Sequence, residues 1–204
     1  SLKLTAMGFD ISEDLCTGIM HEILERAQSY GTFVRLDMES SEYTERTLRL
    51  FEERLYPSYR EHVGIVLQSY LYRTMADVER ANAIRARVRL CKGAYKEPES
   101  VAFQEKRQVD KAYVRAMKVL MNGAGYPMIA SHDPRLIAIA GALADRANRR
   151  PGSYEYQMLF GIRPEEQLRL ASQGHTVRVY IPYGEDWYGY LVRRLAERPA
   201  NLQF

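Results

Sequence analysis

Seven short β-rich runs alternate with seven stretches of helical periodicity along this chain of 204 residues. Strands that are joined by helices must run parallel, because a tight antiparallel hairpin leaves no room for a helix. The run GIVLQ within residues 63–69 is almost continuously apolar, as expected for a sheet covered by helices. The alternation therefore predicts an α/β protein with a parallel sheet. The β-rich runs are residues 1–5, 32–38, 63–69, 88–94, 127–133, 154–160 and 176–182.

The helical stretches begin with residues that helix N-termini prefer. Ser12 precedes two acids, Ser41 has Glu45 nearby, Pro164 precedes two glutamates, and Asp186 precedes the last stretch. Such residues supply capping oxygens or negative charge in the first turn. The predicted helices are residues 10–28, 41–56, 75–86, 100–123, 134–148, 163–173 and 186–198.

The order of these elements leaves two architectures, an open doubly wound sheet and a (βα)8 barrel. A dinucleotide-binding doubly wound sheet would need a glycine-rich turn after its first strand, whereas AMGFD follows SLKLT here. Seven consecutive units without that turn favour the barrel, with one strand upstream of residue 1. Because no linker or low-complexity segment divides the chain, we expect a single domain over residues 1–204, from strand 2 to helix 8.

Composition narrows the class of function. The 29 basic and 26 acidic residues are intermixed and give a net charge of only +3, which does not indicate a nucleic-acid-binding protein. The spacing of Cys16 and Cys91 fits neither a disulfide framework nor a metal site, and four scattered histidines form no ligand cluster. No apolar run approaches the length of a membrane span, and no signal peptide is visible.

Polar side chains follow most of the predicted strands, at the end where a barrel carries its active site. Paired acids of the glycosidase type and a serine nucleophile elbow are both missing from this set. The mixture of cations, amides, one tyrosine and few carboxylates instead suits an anionic ligand with a polar heterocycle. The residues are Lys3, Asp37, Gln68, Arg89, Lys92, His132, Asp133, Gln157 and Tyr180.

The last helical stretch carries Tyr190, Arg193, Arg194 and Glu197 along one stripe. Taken alone, this stripe is typical of a solvated helix face. The residues alone leave two functions open. One is a Schiff-base aldolase that uses Lys3 or Lys92, and the other is a nucleic-acid binder that uses the segment IRARVR and the 15 tyrosines.

The motifs VRLCKGAY at residues 88–95 and YLVRRLAER at 190–198 resemble the signature pair of the FAD-dependent proline dehydrogenases. That family comprises monofunctional bacterial enzymes and the corresponding domain of proline utilization A. Six further motifs match in order along the chain: SLKLT, RLDME, VLQSYLYR, SHD, YQMLFG and VYIPYG. The resemblance implies a distorted (βα)8 TIM barrel whose last helix lies over the barrel mouth. It also implies non-covalent FAD and the first step of proline catabolism.

The implied reaction is hydride transfer from C5 of L-proline to N5 of FAD, which gives 1-pyrroline-5-carboxylate and passes electrons to a membrane quinone. The resemblance assigns catalytic roles to Asp37 and Arg89. By the same resemblance, the residues that bind proline are Lys3, Ala94, Leu159, Tyr180, Tyr190, Arg193 and Arg194. Those that bind FAD are Met38, Gln68, Arg89, Lys92, Gly93, Ala94, Ser131, His132, Gln157 and Glu197. A Schiff-base aldolase is the alternative.

Two positions depart from the family pattern in minor ways. Cys91 stands where valine is common, and Ser131 stands where threonine is common and keeps the hydroxyl group. The family's first strand, and the acid that pairs with its first arginine, would precede Ser1, so we expect this chain to be part of a longer enzyme. The resemblance further implies a cytoplasmic protein in peripheral contact with the inner face of the membrane.

Overall fold

The computed structural model describes residues 1–181, 183–185, 188 and 192. Strands and helices alternate in this part of the chain as the sequence predicts. The helices are α1 (Glu13–Ser29), α2 (Ser41–Leu50), α3 (Tyr56–Tyr59), α4 (Thr74–Ala83), α5 (Lys106–Asn122), α6 (Pro134–Arg146) and α7 (Pro164–Ser172). The strands are β1 (Val34–Leu36), β2 (Val63–Gln68), β3 (Arg87–Cys91), β4 (Tyr126–Ala130), β5 (Glu155–Leu159) and β6 (Val177–Tyr180).

The six strands form one parallel sheet in the order β1-β2-β3-β4-β5-β6. Each strand therefore lies beside its neighbour in the sequence, with helical segments in every crossover. This sequential order belongs to barrels, since a doubly wound sheet reverses its strand order at a switch point. The sheet curls into a half-barrel, and the predicted fold class, a distorted (βα)8 barrel, is confirmed.

The two faces of the sheet differ in polarity. Ile65, Val88 and Ile129 point toward the helices and lie fully inside the main hydrophobic core, with exposures of 1% or less. The inner face carries Arg35, which is 4% exposed, and Gln157, which is 5% exposed, together with other polar side chains. Because side chains alternate along a strand, this separation holds the apolar core between sheet and helices and leaves the interior for polar contacts.

The first predicted strand, residues 1–5, is wrong in extent. It makes a single parallel bridge, from Leu2 to Leu36. The chain already takes a helical conformation at Leu4 and enters a 3-10 turn at Thr5–Met7. Burial of the Leu4 side chain in the core accompanies this early turn, so the pairing ends after one residue.

Helix α5 begins six residues later than predicted. Residues 100–105 instead form part of a loop that pairs with the end of β2, through the antiparallel bridge between Leu71 and Ala102. Phe103 and Tyr72 pack edge to face in that contact, with ring centroids 4.7 Å apart. A tertiary contact thus overrides the helical periodicity of this segment.

The N-termini of α1 and α2 are stabilised by different side chains. Ser12 caps α1 by accepting a hydrogen bond from the Leu15 N–H, as predicted. Ser41, by contrast, is the first residue of α2 rather than its cap, and its N–H and hydroxyl donate to the Glu97 carboxylate at 2.7 and 2.5 Å. The loop before α5 therefore supplies the carboxylate that closes the N-terminus of α2.

The C-terminal end of α5 is closed by one arginine. The Arg149 guanidinium uses all five N–H donors, each on a backbone carbonyl, at 2.6 to 3.1 Å. Three of these carbonyls lie at the end of α5, where a helix cannot satisfy all of its own acceptors. The five acceptors are the carbonyl oxygens of Leu120, Met121, Gly123, Gly125 and Ser153.

Candidate active site

Arg89 lies at the centre of the polar cluster inside the half-barrel. Its Nη1 donates to Asp37 Oδ1 at 3.0 Å, and its Nε donates to Gln157 Oε1 at 2.7 Å. The Arg89 guanidinium carbon lies 5.8 Å from the centroid of the Tyr180 ring. The structure thus brings together four residues that the sequence placed at strand ends.

The parallel register explains this convergence. Arg89 pairs with Met128 on β4, which in turn pairs with Glu155 on β5, so all three point inward at one level. Gln157 lies two residues beyond Glu155 and therefore on the same face, one level nearer the carboxyl ends of the strands. Side chains of this kind cluster at the mouth because the carboxyl ends of parallel strands share one edge.

Both partners of the Arg89–Asp37 pair are largely withdrawn from water. The Arg89 side chain is 14% exposed and the Asp37 side chain 23% exposed. A charge-assisted hydrogen bond gains strength in such surroundings. Asp37 thus holds the Arg89 guanidinium in place at the mouth.

A second, deeper cluster surrounds Glu155, whose exposure is only 1%. Arg178 donates two hydrogen bonds to its carboxylate, at 2.7 and 2.9 Å. The Gln157 amide also donates to it, and the Tyr126 hydroxyl donates at 3.3 Å. The Arg35 guanidinium lies 3.8 Å away. Burial raises the pKa of Glu155, but hydrogen bonds from Arg178 and Gln157 outweigh burial and leave that pKa below its ordinary value.

The sequence reasoning missed Glu155, Arg35 and Arg178 because it examined the ends of the predicted strands. A signal was available, since charged residues at alternate positions of otherwise apolar strands mark a polar inner face. Burial is the largest influence on Arg35 and lowers its pKa, with Arg89 acting in the same direction. The Arg35 Nε–H is buried and donates to no acceptor within the described part of the chain.

Lys92 points away from this cluster. Its Nζ lies 2.5 Å from Asp110 on α5 and 3.5 Å from Asp133, the N-cap of α6. The side chain therefore belongs to an ion-pair group between β3, α5 and α6. Lys106 joins the same group through Asp110.

Gly93 adopts a backbone conformation that favours glycine, with φ of +124°. A Cβ atom at this position would lie 2.3 Å from the Tyr70 ring. The family resemblance places this glycine among the residues that bind FAD, where a close approach of backbone to ligand would require glycine. The structure adds a second cause, since the Tyr70 ring occupies the space that any other side chain would need.

The other proposed flavin contacts at the mouth have internal partners. Gln68 is 3% exposed and donates from Nε2 to the Glu39 carbonyl at 2.9 Å. The Ser131 hydroxyl accepts the Asp133 N–H at 3.1 Å. His132 Nε2 accepts the Leu159 N–H at 2.9 Å, which ties the end of β4 to the end of β5.

The remaining predicted site residues differ in their exposure to solvent, and some lie outside the described part of the chain. Met38 is buried and Leu159 is half-buried, whereas Ala94 and Lys3 are exposed. Leu2 and Leu4 pack toward the core, so alternation places Lys3 on the side of Asp37. Outside the described residues lie Tyr190, Arg193, Arg194 and Glu197.

The described residues hold neither a cluster of metal-ligating side chains nor a helix that could span a membrane. They contain no group of three or more histidine, cysteine, aspartate or glutamate side chains placed to hold a metal ion. Among the helices of that same part, none has the length and apolar character needed to cross a membrane.

Comparison with known proteins identifies the family of the chain. The sequence profile of the family described as Proline dehydrogenase matches residues 1–204. Proline dehydrogenase 2 of Bacillus subtilis is 45% identical over 205 residues, and Proline dehydrogenase of Deinococcus radiodurans is 40% identical over 207. Both alignments cover 100% of this chain and 67% of the relative, so the chain spans about two thirds of their length.

A solved structure of proline utilization A from Bdellovibrio bacteriovorus superposes with a TM-score of 0.89 at 28% sequence identity. The match covers 98% of this chain and 24% of that much longer one. The profile, the relatives and the solved structure agree on the family and on the fold. The chain belongs to the proline dehydrogenase family, whose members are oxidoreductases of proline catabolism.

Proposed function

We propose that this chain forms the barrel of an FAD-dependent enzyme that oxidises L-proline to 1-pyrroline-5-carboxylate and passes the electrons to a quinone. The observation that carries the proposal is the Arg89 guanidinium, held on one side by Asp37 and on the other by Gln157 at the barrel mouth. Family membership supports the substrate, and the resemblance of the site motifs supports the cofactor, product and acceptor.

The inner face fits an anionic cofactor. Its clustered arginines Arg35, Arg89 and Arg178 outnumber the carboxylates Asp37 and Glu155. The buried Ser69 hydroxyl, at the end of β2, also lacks a hydrogen-bond partner among the described residues. Surplus positive charge and an unsatisfied polar atom are costly unless a polar group fills the mouth.

FAD would supply, when bound, the hydride acceptor at N5 for the hydrogen on proline C5. The residues that would hold it are Met38, Gln68, Arg89, Lys92, Gly93, Ala94, Ser131, His132, Gln157 and, beyond the described residues, Glu197. Arg89 contributes a fixed positive charge that needs no reorientation during the reaction. Pre-oriented charges of this kind are among the largest contributions to catalysis.

Asp37 is placed to receive the amine of proline. One of its carboxylate oxygens accepts from Arg89, and the other receives no hydrogen bond from the described residues. A cyclic secondary ammonium group carries two N–H donors, so this second oxygen can bind and orient it. We therefore propose that Asp37 fixes the amine end of the substrate beside Arg89.

The other contacts with proline rest on the family resemblance. Tyr180, with its ring beside Arg89, and Leu159 would border the pyrrolidine ring, together with Ala94 and Tyr190. The carboxylate of proline would bind Lys3, Arg193 and Arg194. Arginine suits this task because its planar fork matches a carboxylate in two bonds.

The structure argues against Lys92 as the lysine of a Schiff-base aldolase and against the nucleic-acid-binding alternative. In a Schiff-base aldolase the lysine amine must face the substrate, whereas Lys92 is turned toward Asp110 and Asp133. A nucleic-acid binder needs a basic surface, whereas Arg87 lies over the rings of Phe33 and Tyr126, at 4.9 and 4.7 Å from their centroids. Arg89 of the same segment lies inside the half-barrel.

An anaerobic titration tests the proposal. We expect the purified protein to carry, or to be reconstituted with, FAD, and to lose the visible absorbance of oxidised flavin on addition of L-proline. D-proline serves as the matched control. A protein that takes up no FAD refutes the proposal, and borohydride trapping of a carbonyl substrate on a lysine would instead support the Schiff-base alternative.

The cellular setting is a further part of the proposal. A membrane quinone as acceptor would place the enzyme in the cytoplasm, in peripheral contact with the membrane, and this rests on the resemblance alone. Sedimentation with anionic lipid vesicles, with oxidised and with proline-reduced protein, measures that contact directly.

A further inference from the structure

We propose that Glu155 is a positioning residue for Arg89 and acts through the amide of Gln157. The inference rests on the proposed function, in which Arg89 is the fixed charge at the mouth. Hydrogen bonds join four side chains in one row. Asp37 accepts from Arg89, Arg89 donates to Gln157, and Gln157 donates to Glu155.

The two neighbours of Gln157 leave its amide only one orientation. A carboxylate can only accept hydrogen bonds, and a guanidinium can only donate them. The NH2 group of Gln157 must therefore face Glu155, and its carbonyl must face the Arg89 Nε. A flipped amide would set donor against donor at Arg89 and acceptor against acceptor at Glu155.

Glu155 is itself held firmly enough to serve as the reference point. Its side chain is 1% exposed, and Arg178 binds both carboxylate oxygens at 2.7 and 2.9 Å. The Tyr126 hydroxyl adds a contact at 3.3 Å, with Arg35 at 3.8 Å. A buried group with partners on several sides has little freedom to move.

The direction of Arg89 depends on this arrangement. Its Nε and Nη1 are held at two points, by Gln157 and Asp37, so the plane of the guanidinium is set. Without the carboxylate of Glu155 the amide loses its orienting partner, and the Nε contact weakens. A displacement of about 1 Å in a group that acts on the reacting centre can cost about a hundredfold in rate.

Substitution of Glu155 by glutamine provides the test, because the shape is kept while an acceptor-only group becomes one that can also donate. In the FAD-loaded enzyme we expect Glu155→Gln to lower kcat about tenfold, with the KM for proline changed less than about twofold. The reduction potential of the bound flavin should fall as well. Tyr126→Phe is the matched control, since it removes a different contact of Glu155, and we expect it to leave all three quantities unchanged.

A double-mutant cycle separates positioning from a merely structural role. In an Arg89→Met background, we expect Glu155→Gln to lower kcat by less than about a further twofold, because the group it positions is gone. An equal tenfold loss in both backgrounds would overturn the inference, as would an unchanged kcat and flavin potential in folded Glu155→Gln. If Glu155→Gln does not fold, Glu155→Asp keeps the charge opposite Arg178 but shortens the reach to Gln157, and the same cycle applies.

The failure of the inference is distinct from the failure of the proposed function. If the unsubstituted protein binds no FAD or is not reduced by L-proline, the proposed function fails. If the unsubstituted protein is reduced normally while Glu155→Gln behaves like Tyr126→Phe, only the positioning role fails.

Discussion

Replacement of Arg149 by methionine should destabilise the barrel strongly. Arg149 lies in the loop before β5, at the opposite end of that strand from the mouth. The change keeps an unbranched apolar stem and removes five hydrogen bonds to carbonyls at the end of α5 and in the loops before β4 and β5. Arg149 is half-buried, and this burial lowers the pKa of its guanidinium.

The size of the effect follows from the count of bonds. Each bond contributes about 1 kcal/mol net where water can partly replace it, and ordering the side chain costs roughly 2 kcal/mol of rotamer entropy. Five bonds less that entropy leave a loss of about 3 kcal/mol in the free energy of unfolding. Arg149→Lys should recover only a small part, since an ammonium has three donors and no planar fork.

Urea unfolding followed by circular dichroism measures this loss. The adjacent Arg150 is the matched control, because its side chain is exposed and its guanidinium makes no hydrogen bond within the described residues. We expect Arg150→Met to change the free energy of unfolding by less than about 0.5 kcal/mol. If Arg149→Met and Arg150→Met agree within about that margin at the same m-value, the reasoning from bond count is refuted.

Three further outcomes are expected. Gly93→Ala should lower the melting temperature and the FAD content together, because its Cβ would meet the Tyr70 ring at 2.3 Å and its φ is +124°; retention of full FAD content, read from visible absorbance, would contradict this. Glu97→Gln should cost about 1 kcal/mol in urea unfolding, since Ser41 loses its charged acceptor at the start of α2; an unchanged midpoint would speak against the capping role. The pKa of Glu155 is depressed from 4.5, so its contribution to stability is present above that pH and is lost as the pH falls through the folded-state value; Glu155→Gln should therefore flatten the acid limb of the stability curve, and an unaltered limb would exclude the effect.

Much of the fold could be predicted from local patterns. Strands β2 to β6 fall within the predicted runs or one residue outside them. The apolar pattern that predicts a strand is a property of the residues of that strand and needs no knowledge of distant contacts. The predictions were wrong for segments whose conformation depends on residues far away in the sequence. Residues 100–105 pair with the end of β2, and Leu4 turns into the core, and neither contact is visible in a local periodicity.

The site residues likewise include some whose positions could be predicted from the sequence and some whose positions could not. Asp37, Arg89, Gln157 and Tyr180 could be brought together in advance, because the carboxyl ends of parallel strands share an edge. The direction of Lys92 could not, since it is decided by acids that lie 18 and 41 residues away in the chain, at Asp110 and Asp133. Glu155 could have been predicted too, since charged residues at alternate positions of an apolar strand mark a polar inner face.

The position of the apolar core has a consequence for how the chain folds. Each strand pairs with the next one in sequence, and the hydrophobic contacts lie between strand and helix rather than in the barrel interior. Successive βα units can therefore bury their apolar surface as they are added, without waiting for the sheet to close. Short loops and nearest-neighbour pairing keep the contact order of each step low, which favours rapid assembly from one unit to the next. The polar interior, with its buried arginines, would then be enclosed last, while water can still reach charges that have not yet found their partners.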